Sequence, residues 1–107
     1  MAATLDIRPF LARVKSALRP AYGERLQGVV LYGSEARGAA SPDSDLDLLV
    51  LLRDEVQPRD DLAALDALYP LILELERPIH ASCVSISDYE TGEYPLYRNA
   101  KAEGVLA

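Results

Sequence analysis

Two short apolar runs constrain the fold of this chain more than any other feature of its sequence. They cover residues 26–32 (LQGVVLY) and 45–52 (DLDLLVLL), and both are rich in residues that favour β-structure. Their length suits a buried strand and is short for a helix. The segment between them, SEARGAASPDS, contains too much Gly, Ser and Pro for a long element. We therefore expect two neighbouring strands joined by an irregular loop.

Helical patterns lie on either side of these runs. Apolar residues recur at steps of three and four between residues 5 and 22, which predicts an amphipathic helix that ends before Gly23. A second helix is expected to begin at Pro58, and Pro70 is expected to kink or shorten it. The apolar face predicted for this second helix consists of Leu62, Leu65, Leu68 and Ile72.

The remaining elements complete a small layered fold. Residues 79–86 (IHASCVSI) predict a third strand, and residues 95–102 predict a last helix that stops at Gly104. The order is then helix, strand, strand, helix, strand, helix. This order predicts an α/β (α+β) fold, in which helices pack on a small mixed sheet of three or more strands. A length of 107 residues suits one domain spanning residues 1–107.

Composition narrows the possible partners and the compartment. Seventeen acidic and eleven basic residues give a formal charge of −6, which argues against direct binding of nucleic acid through phosphate attraction. A basic protein or a metal-neutralised anionic substrate suits this charge better. The single cysteine, Cys83, cannot form a disulfide framework, and no run is long enough to span a membrane. A cytoplasmic protein with no membrane partner is expected.

Two aspartates open the second apolar run, where a buried strand seldom carries charge. Because side chains alternate across a strand, Asp45 and Asp47 point the same way and lie about 7 Å apart along the chain. A cation, a basic side chain or open solvent must offset their repulsion. Proteins bind Mg²⁺ through one or two carboxylates together with substrate phosphates, so the pair is a candidate metal site.

The Gly-Ser step after the first run is a candidate phosphate site. Gly33 lets a polyphosphate approach the backbone, and the N–H groups that follow can bind its oxygens. Ser34 adds a hydroxyl group, and Arg37 is either a bidentate phosphate contact or an exposed loop residue. Alone, the dipeptide is a common turn, and its spacing from the two aspartates gives it significance. Together, these residues predict a site for a metal-bound triphosphate.

The spacing also carries a family resemblance. Residues 33–38 read GSxAxG, ten residues separate Ser34 from Asp45, and an Asp-x-Asp step follows. This pattern resembles the signature of the polymerase-β-type nucleotidyltransferase superfamily, in its minimal (MNT) branch. The element order and the ending PLYRNAKAEGVLA also look like small prokaryotic members, many of which are MNT antitoxins.

The resemblance implies an activity, cofactors and a partner. Members transfer a nucleoside monophosphate, usually AMP from ATP with Mg²⁺, to a hydroxyl group. Gly33 and Ser34 would hold the triphosphate, while Asp45 and Asp47 would be catalytic residues that ligate the metal. Many small members are similar to the antitoxin of a pair whose toxin is a HEPN-domain ribonuclease, and some adenylylate a tyrosine of that toxin. A HEPN-domain toxin is accordingly the expected partner.

One position departs from the family pattern. The third carboxylate is expected in a stretch resembling RPVDVV, whereas this chain reads RPIHAS and has His80 at that place. Imidazole is a poorer Mg²⁺ ligand than a carboxylate. His80 is therefore a candidate base for the incoming hydroxyl, or else a structural histidine. Glu74 and Glu76 are the acids near enough in sequence to reach the site.

Two functions are consistent with this sequence. The first is Mg²⁺-dependent transfer of AMP to a hydroxyl of a partner protein. The second is a non-catalytic antitoxin or nucleotide-binding module that neutralises a HEPN ribonuclease by direct binding, for which a negative charge suits a basic partner. Loss of Asp45 and Asp47 should abolish the first function and leave the second intact.

Overall fold

The computed structural model describes residues 5–33, 35, 36, 38, 44–92 and 94–107, and the strands of this part form one sheet. These strands are β1 (Leu26–Tyr32), β2 (Leu46–Leu52), β3 (Ile79–Ser85) and β4 (Val105–Leu106), in the spatial order β3-β2-β1-β4. β1 is antiparallel to β2 and β4, whereas β2 and β3 are parallel. The predicted mixed sheet of three or more strands is confirmed.

Helices cover both faces of the sheet. They are α1 (Ile7–Tyr22), α2 (Pro58–Leu75), α3 (Ile86–Thr91) and α4 (Pro95–Glu103). Because strand side chains alternate, Val29 and Leu31 pack with α1 and α2, whereas Val30 and Leu49 pack with α3 and α4. The described helices include none that is long and apolar enough to cross a bilayer.

The first helix follows its predicted pattern. α1 begins at Ile7 rather than at residue 5, and it buries Phe10, Leu11, Val14, Leu18 and Tyr22. A short 3₁₀ turn, Gly23–Arg25, then leads into β1, which spans the predicted residues. β2 begins at Leu46, so Asp45 immediately precedes the strand.

α2 is longer than predicted. Pro58 occupies the first turn, where its missing N–H costs no hydrogen bond, and the Gln57 N–H donates to the Asp60 carboxylate at 2.8 Å. The helix continues through Pro70 to Leu75, so Pro70 does not shorten it.

The predicted apolar face of α2 was wrong in part. Leu62 and Leu65 are 66% and 51% exposed, whereas Leu68 is buried together with Ala64 and Leu71. Apolar residues lie on two opposite sides of this helix, so their periodicity alone does not show which side faces the core. The buried side packs against α1 and β3.

The last strand was missed by the sequence analysis. α4 ends at Glu103, and β4 then pairs with β1 through Val30 and Leu31. Gly104 makes this close approach possible, because a Cβ at this position would lie 2.7 Å from the Val30 Cγ1. A strand of two residues has no alternating pattern that sequence analysis could detect.

Candidate active site

One edge of the sheet gathers polar side chains from three strands. β1 ends at this edge, and β2 and β3 begin there. The register places Tyr32 beside Asp47, and Asp47 beside His80. Because register partners on adjacent strands point to the same face, these side chains form a row across the sheet. We call Tyr32, Asp47 and His80 the edge row.

Asp45 joins the edge row through His80. The His80 Nε2 lies 2.8 Å from the Asp45 Oδ2. Since an ionised carboxylate only accepts hydrogen bonds, the Nε2–H of His80 is the donor. The two side chains are 63% and 51% exposed, so a ligand can reach both. The structure thus brings Asp45, Asp47 and His80 together at one edge.

Asp47 is the more enclosed of the two aspartates. Burial raises the pKa of its carboxyl group above the ordinary value, and the negative charge of Asp45 acts in the same direction, whereas His80 lowers it. Both upward effects arise because the environment disfavours the ionised carboxylate. A cation bound between the aspartates would offset this cost.

Gly33 lies directly against Asp47. Its φ is +79°, a conformation that L side chains rarely adopt. A Cβ at this position would lie 2.6 Å from the Asp47 Oδ2, well inside van der Waals contact. Two constraints therefore require glycine here, namely the positive φ and the close approach of the Asp47 carboxylate.

Tyr32 is a member of the edge row that the sequence analysis did not identify. Burial raises the pKa of its hydroxyl group, and the negative charge of Asp47 raises it further. The phenol therefore stays protonated and can donate a hydrogen bond at this edge. Only the strand register shows that Tyr32 is the neighbour of Asp47.

Arg77 fixes the segment that connects β1 and β2. Its side chain is buried, its Nε donates to the Ser44 carbonyl at 2.9 Å, and a terminal nitrogen donates to the Glu35 carboxylate at 2.6 Å. Both ends of the segment are thereby held against the start of β3. The sequence analysis missed this role, for which the local signal is an arginine two residues before a strand.

Two predicted phosphate contacts, Ser34 and Arg37, lie outside the described residues. Gly38, the last residue of the GSxAxG pattern, has a φ of +73° and is exposed. The contributions of Ser34 and Arg37 to a phosphate site remain predictions.

The carboxylates at this edge match the ligands that a magnesium ion requires. Asp45 and Asp47 supply two hard oxygen ligands, which is the number that usually holds Mg²⁺ beside substrate phosphates. Gly33 lies against one of these carboxylates, so no side chain separates the backbone from Asp47 at this point. These residues fit a magnesium ion whose remaining ligands are phosphate oxygens and water.

Neither of the nearby glutamates completes a protein-only metal site. Within the described ranges, no group of three or more His, Cys, Asp or Glu side chains could hold a metal ion. Glu74 instead forms an ion pair with Arg13, and Glu76 follows the last residue of α2. A metal ion held by Asp45 and Asp47 would therefore take its further ligands from substrate or water oxygens.

The chain matches one protein family over most of its length. Residues 11–101 match the family described as a nucleotidyltransferase domain. This span includes the GSxAxG pattern, both aspartates and His80. Among curated proteins, none matches the chain in sequence.

Several solved structures share its fold. A structure described as a toxin–antitoxin with AMP-PNP has a TM-score of 0.65 at 19% identity, covering 89% of this chain and 69% of that chain. A mutant of the toxin–antitoxin MntA-HpeT gives 0.64 at 17% identity, with coverages of 89% and 69%. A tri-AMPylated Shewanella oneidensis HEPN toxin in complex with MNT antitoxin gives 0.50 at 15% identity, with coverages of 89% and 68%. At these identities, the likeness concerns the fold.

Proposed function

The chain belongs to the nucleotidyltransferase-domain family, and on this premise we propose that it transfers AMP from ATP to a hydroxyl group of a partner protein. The partner that we propose is a HEPN-domain toxin, for which this chain acts as the antitoxin. Two structural relatives support this proposal. One is described as a toxin–antitoxin with AMP-PNP, and the other contains an AMPylated HEPN toxin.

One observation carries the proposal. The Asp45 and Asp47 carboxylates lie at the same sheet edge as Gly33, which directly follows β1 and where a Cβ would lie 2.6 Å from the Asp47 Oδ2. A triphosphate that approaches the backbone at Gly33 would meet both carboxylates through a shared cation.

The proposed reaction is a displacement at phosphorus. The acceptor oxygen forms a bond to the α-phosphorus of ATP, the bond from that phosphorus to the oxygen bridging to the β-phosphate breaks, and pyrophosphate leaves. Asp45 and Asp47 would hold Mg²⁺, whose chemistry when bound is to neutralise phosphate charge and to make the attacking hydroxyl more acidic. Gly33, Ser34 and Arg37 would position the triphosphate.

His80 has two roles in this proposal. Its Nε2–H donates to Asp45 and orients that carboxylate. In the neutral ring, this leaves Nδ1 without a proton, so Nδ1 can accept the proton of the acceptor hydroxyl. His80 stands where the family resemblance implies a third carboxylate. In this proposal it acts as a base and does not bind the metal ion.

Intact-mass measurement of the partner tests the proposal. The protein encoded beside this chain is purified and incubated with the chain, ATP and Mg²⁺, and its mass should increase by one or more AMP units. The Asp45→Asn/Asp47→Asn variant should give no increase, whereas Glu90→Gln, which changes an exposed acid on α3, should behave like the wild type. An equal mass increase with the double variant would refute the site assignment.

A second function is favoured by the place of His80. A protein that only masks a HEPN toxin needs no third carboxylate, and His80 stands in β3 at the place where the family resemblance implies one. In that case, Asp45→Asn/Asp47→Asn would still neutralise the ribonuclease activity of the toxin without ATP. Neutralisation that requires both ATP and the aspartates would exclude pure masking.

A further inference from the structure

The outer side of α2 carries an apolar stripe that no described element covers. Its members are 51–66% exposed and follow one another at steps of three, four and four residues, which places them on one side of the helix. We call this set the outer stripe, and it consists of Leu62, Leu65, Tyr69 and Leu73.

Packing within the chain does not account for the outer stripe. The opposite side of α2 packs into the core, where Ala64, Leu68 and Leu71 are buried. A helix that is apolar on both sides is normally enclosed on both sides. Contiguous exposed apolar side chains bordered by polar residues mark a protein interaction site.

The charges around the outer stripe indicate what kind of protein covers it. Asp61, Asp66 and Glu76 are exposed on or at the end of α2, against one exposed cation, Arg59. The neighbouring Glu74 is neutralised by its ion pair with Arg13. The border is therefore negative, in line with the net charge of −6.

This border disfavours a second copy of the chain as the occupant. Two copies joined through their outer stripes would bring two negative borders together, and like charges across an interface repel. A partner with lysine or arginine beside its own apolar residues would instead be attracted and correctly oriented.

We propose that the outer stripe of α2 is the docking surface for a different protein, one that presents an apolar helix bordered by lysine and arginine. The stripe leads toward the candidate active site, because Leu73 precedes the loop anchor Arg77 by four residues and β3 begins two residues after Arg77. This docking proposal rests on the proposed function in one respect: the docked partner is taken to be the protein that accepts AMP.

Binding of a defined peptide tests the docking surface. The probe is a fluorescein-labelled helical peptide with a leucine stripe bordered by lysines, and its anisotropy is measured against the full chain. Leu62→Ser/Leu65→Ser/Leu73→Ser should weaken binding by about tenfold or more. The matched control, Leu96→Ser/Leu106→Ser, removes exposed leucines elsewhere and should bind like the wild type.

The charge component is tested separately. Asp66→Lys should weaken binding of the lysine-bordered peptide, and Glu90→Lys, an exposed acid on α3, should not. A peptide bordered by glutamates should not bind. Circular dichroism of each variant confirms its fold, and the exposure of the substituted residues means that folding should be unaffected.

Two results would overturn the proposal. One is equal loss of peptide binding in the stripe variant and its control, or no loss in either. The other is sedimentation of the chain alone as a dimer that the stripe variant converts to a monomer, because a second copy would then be the occupant. Asp45→Asn/Asp47→Asn should leave peptide binding unchanged, so failure of AMP transfer and failure of docking are distinguishable.

Discussion

At the scale of single residues, Gly33 is the most constrained position of the candidate active site. It combines a φ of +79° with a position where any Cβ would collide with the Asp47 carboxylate. Steric requirement and chemistry thus coincide at one residue. This explains in physical terms why the glycine of GSxAxG and the second aspartate of Asp-x-Asp belong to one motif.

Replacement of Gly33 tests this coupling. Gly33→Ala should lower the free energy of unfolding by about 1–2 kcal/mol from left-handed backbone strain. It should also displace the Asp47 carboxylate and abolish Mg²⁺-dependent nucleotide binding. Chemical denaturation and calorimetric titration measure the two effects.

Gly23→Ala provides the matched control for this prediction. Its φ is also positive, at +58°, but a Cβ there would meet nothing within 4 Å. It should lose comparable stability and keep nucleotide binding. If Gly33→Ala bound nucleotide as tightly as the wild type, the nucleotide would not require glycine beside Asp47.

The roles of Arg77 and Tyr32 could not be predicted from the sequence. Asp45, Asp47 and Gly33 could be proposed as site residues from the sequence alone, because they lie within one short pattern, at residues 33–47. Arg77 acts through Ser44 and Glu35, which are distant in sequence, so its role depends on the packing of the folded chain.

At the scale of elements, α2 determines which residues meet at the active-site edge. Parallel strands need a long crossover, and α2 supplies it between β2 and β3. The parallel pairing sets His80 beside Asp47, at the beginning of both strands. Had β3 been antiparallel to β2, its first residues would have met the far end of β2.

The first turn of α2 is held by Asp60. This buried carboxylate accepts two hydrogen bonds from Arg25, at 3.0 and 3.1 Å, and one from the Gln57 N–H at 2.8 Å. The Arg25 hydrogen bonds lower the pKa of Asp60, and the Gln57 hydrogen bond adds to the effect, although burial opposes it. The ionised form is therefore the one that stabilises the fold.

This lowered pKa predicts a pH-dependent stability. A folded pKa below the unfolded value of about 3.9 means that the stabilisation is present above that value and is lost as pH falls through the folded pKa. At pH 7, Asp60→Asn should have a lower free energy of unfolding than the wild type in urea denaturation. This difference in free energy should become smaller below about pH 4.

Asp66→Asn is the control for this prediction, because it removes an exposed carboxylate from the same helix. It should change the stability little at either pH. The role given to Asp60 would be contradicted if the difference in free energy of unfolding between the wild type and Asp60→Asn were the same at low pH as at pH 7.

Most elements were predictable, and the failures share a cause. α1, β1 and the start of α2 follow from local periodicity and from capping residues. The core-facing side of α2 and the strand β4 do not, because α2 is apolar on two sides and β4 has only two residues. Both depend on tertiary contacts, which local patterns do not contain.

At the scale of the whole molecule, the chain presents two surfaces with different chemistry. The sheet edge offers two carboxylates beside a glycine backbone, which suits a cation and a polyphosphate. The outer stripe offers apolar side chains with a negative border, which suits a basic protein. α2 connects them, since it carries the outer stripe and ends at Leu75, two residues before Arg77, which donates to Ser44 and Glu35 beside the candidate active site.

The central claim is that the sheet edge binds a magnesium-bound triphosphate, and it can be measured without any partner. Isothermal titration of a non-hydrolysable ATP analogue into the chain should show binding that requires Mg²⁺ and is lost in EDTA. Asp45→Asn/Asp47→Asn should abolish this binding, and Asp66→Asn should retain it. Equal binding by the wild type and the double variant, or binding that is indifferent to Mg²⁺, would contradict the account.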